Sequence, residues 1–573
     1  MEIDDEQSSN GEKGVRLRVG LLLDSYAQPR WVRRVVEEIQ ASDFAEVALV
    51  VLNRSHASSS SNGDRPSLPR RAWDNRERFL YALYTKLDEH LFPLDPDAFA
   101  AADIEGLLRG CPVLDVEPVG GKFTDALTEE DVRRVLSYKL DVALRFGFRI
   151  LKGSVLGCAR HGVWSYHHGD AEVNRGAPPG FWEVMTGEPT TGAMLQVLTE
   201  ELDNGRVIYR GWLQTSNKFS VRRNCNNYYW GAAGFVSRGL RELHERGRVA
   251  CDDDAAEGVD VYRPYYNRLY KRPTNSEMLP LLRGLARGAA RRAYEKAFAR
   301  DRWALGYRFK SSPDDRNETF YKYKYLMPPP GRFWADPFPL KRDGAYFVFF
   351  EDAKLDPERG HISAVELTRT GARGEPFKVL ERDYHLSYPF LFEWRGELFM
   401  LPETSANGTV ELYRCASFPN AWEQEKVLME GVRLFDATLA EVEGRWWMFA
   451  TSGPEGVTVP CDELHLFYAD SPLGPWRPHR LNPVKTDGRG SRPAGALFRR
   501  GSNLYRPAQD CSKHYGYAMT INRVLRLSMD EYREEAVSKI LPRWRKGLIS
   551  THTLNTYDEL TVIDCQFRER KFF

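Results

Sequence analysis

Four segments of the carboxyl-terminal half share one layout, and that recurrence restricts the architecture more than any other feature: Asp336–Asp352, Tyr388–Thr404, Ala437–Ser452 and Pro493–Pro507. Each opens on a small or Pro-containing step, runs through an apolar strand to a charged residue followed by Gly, and returns through an aromatic strand. They begin about 50 residues apart, the length of one four-stranded propeller blade. The turns Asp343-Gly344, Arg395-Gly396, Glu443-Gly444 and Arg500-Gly501 lie between alternating strands, which is the hairpin signature. The weaker segment Ser550–Phe567 supplies a fifth blade, and Trp303–Phe309 a strand to close the ring. An aromatic content of 12%, with 14 Trp, suits this architecture better than a helical bundle.

Ahead of this array the chain alternates strands and helices. Residues 1–14 carry only Met1 and Ile3 as apolar side chains and are expected to be disordered. Arg16–Asp24 reads as a buried parallel strand, Trp31–Ile39 as a helix with apolar residues at helical spacing, and Val47–Leu52 as the next strand. A polar loop at 55–71 precedes a helix at 73–91, a strand at 113–116, a helix at 128–138 and a strand at 140–146; a helix and Gly turn follow at 150–158. This order predicts a doubly wound sheet with its site at the carboxyl ends of the strands. No Gly-x-Gly-x-x-Gly follows the first strand, so the dinucleotide fingerprint is missing.

Between Trp164 and Arg210 lie the aromatic-flanked pair His167-His168, then Arg175-Gly176, a helix bearing Trp182, the turn Thr191-Gly192, and Leu202-Asp203-Asn204-Gly205. These features resemble the catalytic half of the folate-dependent formyltransferases, where Asn-x-His is followed in the same register by Arg-Gly, a Trp helix, Thr-Gly and Leu-Asp-x-Gly. The resemblance implies that His167 and Asp203 act on the formyl carbon of 10-formyltetrahydrofolate while an amine attacks it. It also implies that Arg175, Gly176, Thr191 and Gly192 line the cofactor. Ser165 stands where the family has Asn. The attacking amine must lose a proton, and the oxyanion needs a fixed donor whose loss costs roughly 3–4 kcal/mol; a Ser hydroxyl donates from a shorter arm than an amide. His168 and Asp170 are extra polar residues in a loop that the family fills with Pro and Leu, and they are expected to replace the missing Asn, to bind a different substrate group or to be solvated.

The second half, opening on Trp334-Ala335-Asp336-Pro337, resembles the five-bladed propellers of glycoside hydrolases. It is still more similar to the propeller preceding the transferase domain of plant glucosamine inositolphosphorylceramide transferases. The resemblance implies inner-strand carboxylates around a central channel, a base at Asp336 and a helper at Asp436. The acid position of blade four reads Ser491-Arg492-Pro493-Ala494-Gly495 with no Glu, and Glu403 is the available substitute. Tyr388, Arg492, Arg506, Gln509, Asp510 and His514 complete a set suited to binding hydroxyls or an anion, or to inter-blade hydrogen bonds. Arginines such as Arg492 are expected to keep Asp336 and Asp436 ionised. A glycosidase needs one of its two carboxyls protonated, so the channel is expected to bind glycan without cleaving it.

Residues 215–302 read as a helical linker, with a helix at 228–246, an extended link at 264–273 and an amphipathic helix at 279–300. That last helix places Leu281, Leu282, Leu285, Ala289 and Ala293 on one face with Arg283, Arg287, Arg291 and Arg292 around it. It either packs between domains or lies on an anionic membrane surface. With 81 basic against 80 acidic residues there is no global pull toward nucleic acid. Eight scattered Cys without a Cys-x-x-Cys read as reduced thiols in a cytosolic protein, with no metal site. The chain is therefore expected to be α/β plus all-β: a formyltransferase-like doubly wound domain at 15–214, the linker, and a five-bladed β-propeller at 303–573. Its expected activity is formyl transfer to an amine of a sugar or glycoconjugate held by the propeller. A glycan-processing enzyme centred on Asp336, Asp436 and Glu403, and a non-catalytic glycan-binding protein, are the alternatives.

Overall fold

A computed structural model describes residues 15–55, 76–121, 123–201, 205–215, 219–249, 265–312, 314–354, 359–453 and 460–571. The amino-terminal 1–14, most of the 55–71 loop and Asp203 lie outside the described residues.

The amino-terminal sheet has seven strands: β1 (Leu17–Leu23), β2 (Ala45–Asn53), β3 (Val113–Val116), β4 (Val142–Arg145), β5 (Val163–His167), β6 (Thr190–Val197) and β7 (Arg206–Gln214). They are ordered β3-β2-β1-β4-β5-β6-β7, with β1 to β5 parallel and β6 and β7 antiparallel. β1 is apolar on both sides because both faces are covered. Val19, Leu21 and Leu23 pack against α1 (Arg30–Ala41), whereas Leu22 points to the opposite core with Val132 and Val135 of α3 (Glu129–Leu136); α2 (Phe79–Leu91) lies between them in the chain. Residues 150–158 form a short strand and a 3-10 turn in place of the expected helix, since Gly153 at φ 82° interrupts them.

The helical stretch at 228–246 is broken. After α4 (Phe181–Thr186), α5 (Val221–Ala233) stops at Gly234 and α6 (Phe235–Arg246) begins there. Tyr228, Ala232, Phe235, Leu240 and Leu243 are buried in the same core as Val35 and Val36 of α1, so this part of 215–302 covers the sheet. The helix α7 (Asn275–Phe298) follows, started by a capping box between Thr274 and Glu277.

The carboxyl-terminal half is a five-bladed propeller. Four blades run in chain order from the strands Arg332–Arg342, Ser387–Trp394, Phe435–Val442 and Phe498–Arg500. The fifth is composite: Ala299–Phe309 pairs antiparallel with Leu560–Arg570 along its whole length, which closes the ring. Three of the charged-Gly turns carry positive φ at both central residues, at Asp343-Gly344, Arg395-Gly396 and Glu443-Gly444. That is the type I′ geometry matching strand twist.

The inner strands of blades one to three each contain a bulge at the same place. Asp336, Tyr388 and Asp436 hold φ of 51°, 45° and 52°, and the pairing register shifts around each. A bulge re-aims the side chain it carries, and the three polar groups are thereby placed in a buried interior.

The two halves meet at β7. Gly488 donates its backbone N–H to the Trp212 oxygen at 2.7 Å, the Gln214 N–H reaches Asp462 Oδ1 at 3.2 Å, and the Arg489 guanidinium stacks 4.2 Å over the Trp212 ring.

Candidate functional site

His167 ends β5 at the carboxyl edge of the parallel strands, close to the point between β1 and β4 where the strand order reverses, the usual ligand position in such sheets. The loop after it folds back on itself, with Arg175 Nε donating to the Ala171 oxygen at 2.8 Å. Arg175 and Gly176 then pair with Leu269 and Tyr270. Gly176 adopts φ 111°, and a Cβ there would lie 2.1 Å from the Tyr270 oxygen, so only Gly admits this strand. The result is a small pocket of about 10 Å³ whose lining includes His167, Asn174, Arg175, Trp182, Glu183 and Tyr270. Burial raises the Glu183 carboxyl above its usual range, while a hydrogen bond from Asn174 and the nearby His167 pull the other way. Trp182 Nε1–H is buried with no acceptor among the described residues.

Ser165, Thr191 and Gly192, also carried over from the formyltransferase pattern, do not line this pocket. Ser165 Oγ accepts from Arg145 Nη1 at 3.2 Å and donates to the Tyr166 oxygen at 3.3 Å. Thr191 Oγ1 lies 3.0 Å from Thr215 Oγ1 and accepts from Asn224 Nδ2 at 2.9 Å, joining β6 to α5. Gly192 permits close approach, since a Cβ there would sit 2.6 Å from Asp170 Cβ. Asp170, expected to replace the missing Asn, to bind substrate or to be solvated, accepts from Trp212 Nε1 at 3.0 Å and Arg210 Nη1 at 3.2 Å. His168 is stacked on Tyr229 with ring centroids 3.5 Å apart, and burial pulls its pKa down to about 3. It is a neutral core ring that touches the pocket with one edge.

The propeller interior holds two linked polar clusters. In the first, Arg492 Nε donates to Asp436 Oδ2 at 2.6 Å and Nη2 to Oδ1 at 3.2 Å, Gln509 Nε2 donates to Asp436 Oδ2 at 2.7 Å, and Arg492 Nη2 stands 3.6 Å from Glu403 Oε2. Burial and the neighbouring Asp436 push the Glu403 carboxyl up to about 8 against the opposing pull of Arg492. In the second, His552 bridges two acids, Nδ1 to Asp564 Oδ2 at 2.7 Å and Nε2 to Asp336 Oδ1 at 3.4 Å. Burial would lower the imidazole, but Asp564 and then Asp336 raise it to about 9. Burial likewise carries Asp336 up to about 7 despite His552.

The raised Asp336 corrects, for that carboxyl, the expectation that neighbouring arginine keeps it ionised. Desolvation is the larger effect at Asp336 and at Glu403. Asp336, His552 and Asp564 also offer ligand atoms within 4.8 Å of one another. With no metal between them, the two carboxylates clamp the His552 ring from its two nitrogens.

Three further residues of the proposed channel set are occupied. Arg506, fully buried, donates to Glu534 through Nε at 2.8 Å and Nη2 at 2.7 Å. Asp510 pairs with Lys539 at 2.5 Å, and His514 Nε2 lies 2.9 Å from Ser550 Oγ. Tyr388 OH accepts from the Gly495 N–H at 2.8 Å and lies 2.8 Å from Thr438 Oγ1, tying three blades together. Over the two clusters, Tyr515 stacks 4.9 Å from the Arg492 guanidinium and 5.5 Å from the His552 ring, which Trp303 covers at 4.4 Å.

Residues 326–563 match the family described as glucosamine inositolphosphorylceramide transferase 1, N-terminal. The chain is 36% identical over 221 residues to glucosamine inositolphosphorylceramide transferase 1 of Oryza sativa subsp. japonica, covering 38% of this chain and 30% of the relative. The Arabidopsis thaliana protein of the same name is 36% identical over 221 residues, covering 38% and 29%. The chain thus spans under a third of the length of these relatives. It is also 26% identical over 229 residues to methionyl-tRNA formyltransferase of Chlorobium limicola, covering 39% of this chain and 68% of the relative. Among solved structures, a family 117 glycoside hydrolase of Zobellia galactanivorans aligns over 46% of this chain and 90% of its own, at TM-score 0.31 and 13% identity. A thermostable family-43 glycoside hydrolase aligns over 36% and 75%, at TM-score 0.28 and 13% identity. Likeness at that level says nothing of chemistry.

Proposed function

We propose that the chain transfers a formyl group from 10-formyltetrahydrofolate to an amine of a sugar or glycoconjugate, and that the propeller holds the glycan. The observation that carries this reading is His167 sharing one small pocket with the buried Glu183 and with Trp182, whose N–H has no acceptor among the described residues. Similarity to methionyl-tRNA formyltransferase supports it, as does similarity to glucosamine inositolphosphorylceramide transferases for the acceptor. A net charge of +1 supplies no long-range attraction for a polyanion such as tRNA.

The donor supplies an electrophilic formyl carbon. In this reading His167 removes the proton of the amine as its nitrogen bonds to the formyl carbon, Glu183 stabilises the imidazolium so formed, and His167 returns the proton to N10 of the folate as the C–N10 bond breaks and tetrahydrofolate leaves. Trp182 lines the same pocket, and in this reading its buried Nε1–H is the donor to a carbonyl oxygen whose charge grows during attack. The cavity of about 10 Å³ has room for about one water and falls far below the roughly 300–1,000 Å³ of drug-sized sites. The loop carrying Arg175 and Gly176 therefore has to open before these residues meet even the reactive end of such a donor.

A second reading rests on Glu403. A carboxyl pushed up to about 8 beside Arg492-bound Asp436 offers the acid that glycoside cleavage requires, and cleavage would need the hydrogen bond between these two carboxyls to open to the roughly 5 Å or more at which such pairs flank a bond. Two assays separate the readings. Calorimetry with a stable folate analogue, followed by turnover on an amino-sugar acceptor, should show binding in wild type and no turnover in His167→Ala. No folate binding by wild type would end the first reading. Hydrolysis of an aryl glycoside that survives His167→Ala and vanishes in Glu403→Gln would establish the second.

A further inference from the structure

A groove of about 370 Å³ lies between α2 and the start of α5, within the roughly 300–1,000 Å³ of drug-sized sites. It adjoins the His167 pocket through α4, since Phe181 lines the groove and Trp182 the pocket. Its walls are aromatic. Tyr81 and Tyr84 stand edge-on to Phe181, with ring centroids 5.4 and 6.3 Å apart, and Phe99 stands edge-on to Tyr229 at 4.8 Å.

Charge in this groove is one-sided. Asp88, Glu89 and Asp97 line it against Arg222, and that guanidinium is already engaged, donating to Asp97 Oδ2 at 2.9 Å and standing 3.8 Å from Glu89 Oε1. Asp88 is the carboxyl left over. It is 5% exposed; its Oδ2 accepts the Arg222 backbone N–H at 2.9 Å, and its Oδ1 is buried with no partner among the described residues. The Tyr84 hydroxyl, raised by burial and then by the Asp88 charge near it, gives its one hydrogen to the Phe219 oxygen at 3.1 Å. Asp88 and Glu89 also sit in the last turn of α2, where the helix carbonyls already disfavour negative charge. A carboxyl oxygen desolvated without a donor costs free energy, which an N–H from a ligand offsets.

We propose that this groove binds a small molecule through its primary ammonium, with one N–H given to Asp88 Oδ1 and the attached body laid against Tyr81, Tyr84 and Phe99. An ammonium meets both needs of the site. It supplies the missing donor and balances the excess of acids, and tyrosine and phenylalanine faces attract a cation. A quaternary ammonium has no hydrogen to give Oδ1, and one free carboxyl oxygen among aromatic walls offers too few ligands for calcium or zinc. An amine held in this way keeps its proton, so it is a ligand here and not the nucleophile of the His167 pocket. The site is independent of the formyl-transfer reading, because none of Asp88, Glu89, Asp97 and Arg222 lines that pocket.

The test is calorimetry of the full chain with glucosamine and with phenethylamine, each beside its N-acetyl form, which keeps the body and loses the charge. At least one amine should bind, and its N-acetyl form roughly tenfold or more weaker, the factor of one charge-assisted hydrogen bond. Binding by glucosamine alone assigns the site to an amino sugar, and by phenethylamine alone to an arylalkyl amine. Asp88→Asn keeps an acceptor for the Arg222 N–H and removes the charge, so affinity should fall roughly 10- to 100-fold. Tyr81→Leu should weaken binding about two- to fivefold through the lost ring face, and it decides the matter if Asp88→Asn melts below wild type. Binding by neither amine, an N-acetyl form that binds as well as its amine, or a folded Asp88→Asn protein that binds like wild type would overturn the proposal.

Discussion

Trp212 donates its indole N–H to Asp170 Oδ2 at 3.0 Å while its own backbone oxygen accepts the Gly488 N–H at 2.7 Å. One residue thus spans the loop that follows His167 and the propeller edge. Asp170 also faces Arg210, and both side chains are 7% exposed. Removing one partner of a buried pair strands the other. Asp170→Ala should therefore cost about 3 kcal/mol in urea unfolding, the lower end of the usual range because Glu172 still reaches Arg210 at 2.8 Å. A loss below about 1 kcal/mol would mean that the pair behaves as a surface one.

The propeller interior should make stability fall toward alkaline pH. Asp336 rises from 3.8 to about 7, Glu403 from 4.5 to about 8 and His552 from 6.5 to about 9. Each folded value lies above the unfolded one, so each contribution is complete below the unfolded value and is lost as pH climbs through the folded value. For His552 the raised value is worth about 3 kcal/mol. Glu534, held down to about 2, acts oppositely and only in acid. Melting temperature should then decline between about pH 5 and 9, and Glu403→Gln should flatten the part up to about pH 8. An unchanged slope in that variant would remove Glu403 as the titrating group.

A third expectation concerns Gly176. Ala at this position puts a methyl 2.1 Å from the Tyr270 oxygen in a φ 111° conformation, so the strand Leu269–Tyr270 has to leave. Amide exchange at Tyr270 should become fast, while the propeller keeps its protection. The same change would also open the wall of the His167 pocket. Exchange at Tyr270 like that of wild type would show that the loop accommodates the methyl.

Periodicity carried the architecture, because a blade hairpin imposes the same charged-Gly turn each time, as at Glu443-Gly444 with φ of 53° and 76°. The sites were less legible. His167 was placed by spacing along one continuous segment, but Glu183 on α4 meets it only through the fold. His552 and Asp564 sit in the segment read as a weak fifth blade, and an acidic strand end was the signal available there. Thr191 and Gly192 make a tight backbone approach and an inter-element hydrogen bond, which call for the same residue types as a binding turn, so sequence alone does not distinguish the two uses. The state of Asp336 and Glu403 was unreadable, since desolvation depends on what surrounds a carboxyl and the sequence showed only the neighbouring arginine.

The last expectation tests the departure at Ser165. It lies on the same side of β5 as His167, two residues away. Its hydroxyl hydrogen is given to the Tyr166 oxygen at 3.3 Å, and its lone pair receives Arg145 Nη1 at 3.2 Å. The hydroxyl therefore has no hydrogen left for an oxyanion. In Ser165→Asn the amide oxygen takes over from the hydroxyl as acceptor for Arg145, and the NH2 becomes available toward His167. If formyl transfer proceeds at this pocket, kcat should rise, by no more than the roughly 100- to 1,000-fold that a single donor supplies. KM should stay fixed, because the new hydrogen bond is made only in the transition state. The larger side chain at a 4% exposed position costs about 1–3 kcal/mol, so the comparison needs a melt run alongside. A folded Ser165→Asn protein with unchanged kcat would show that the oxyanion does not form next to β5, leaving Trp182 as the donor to mutate next.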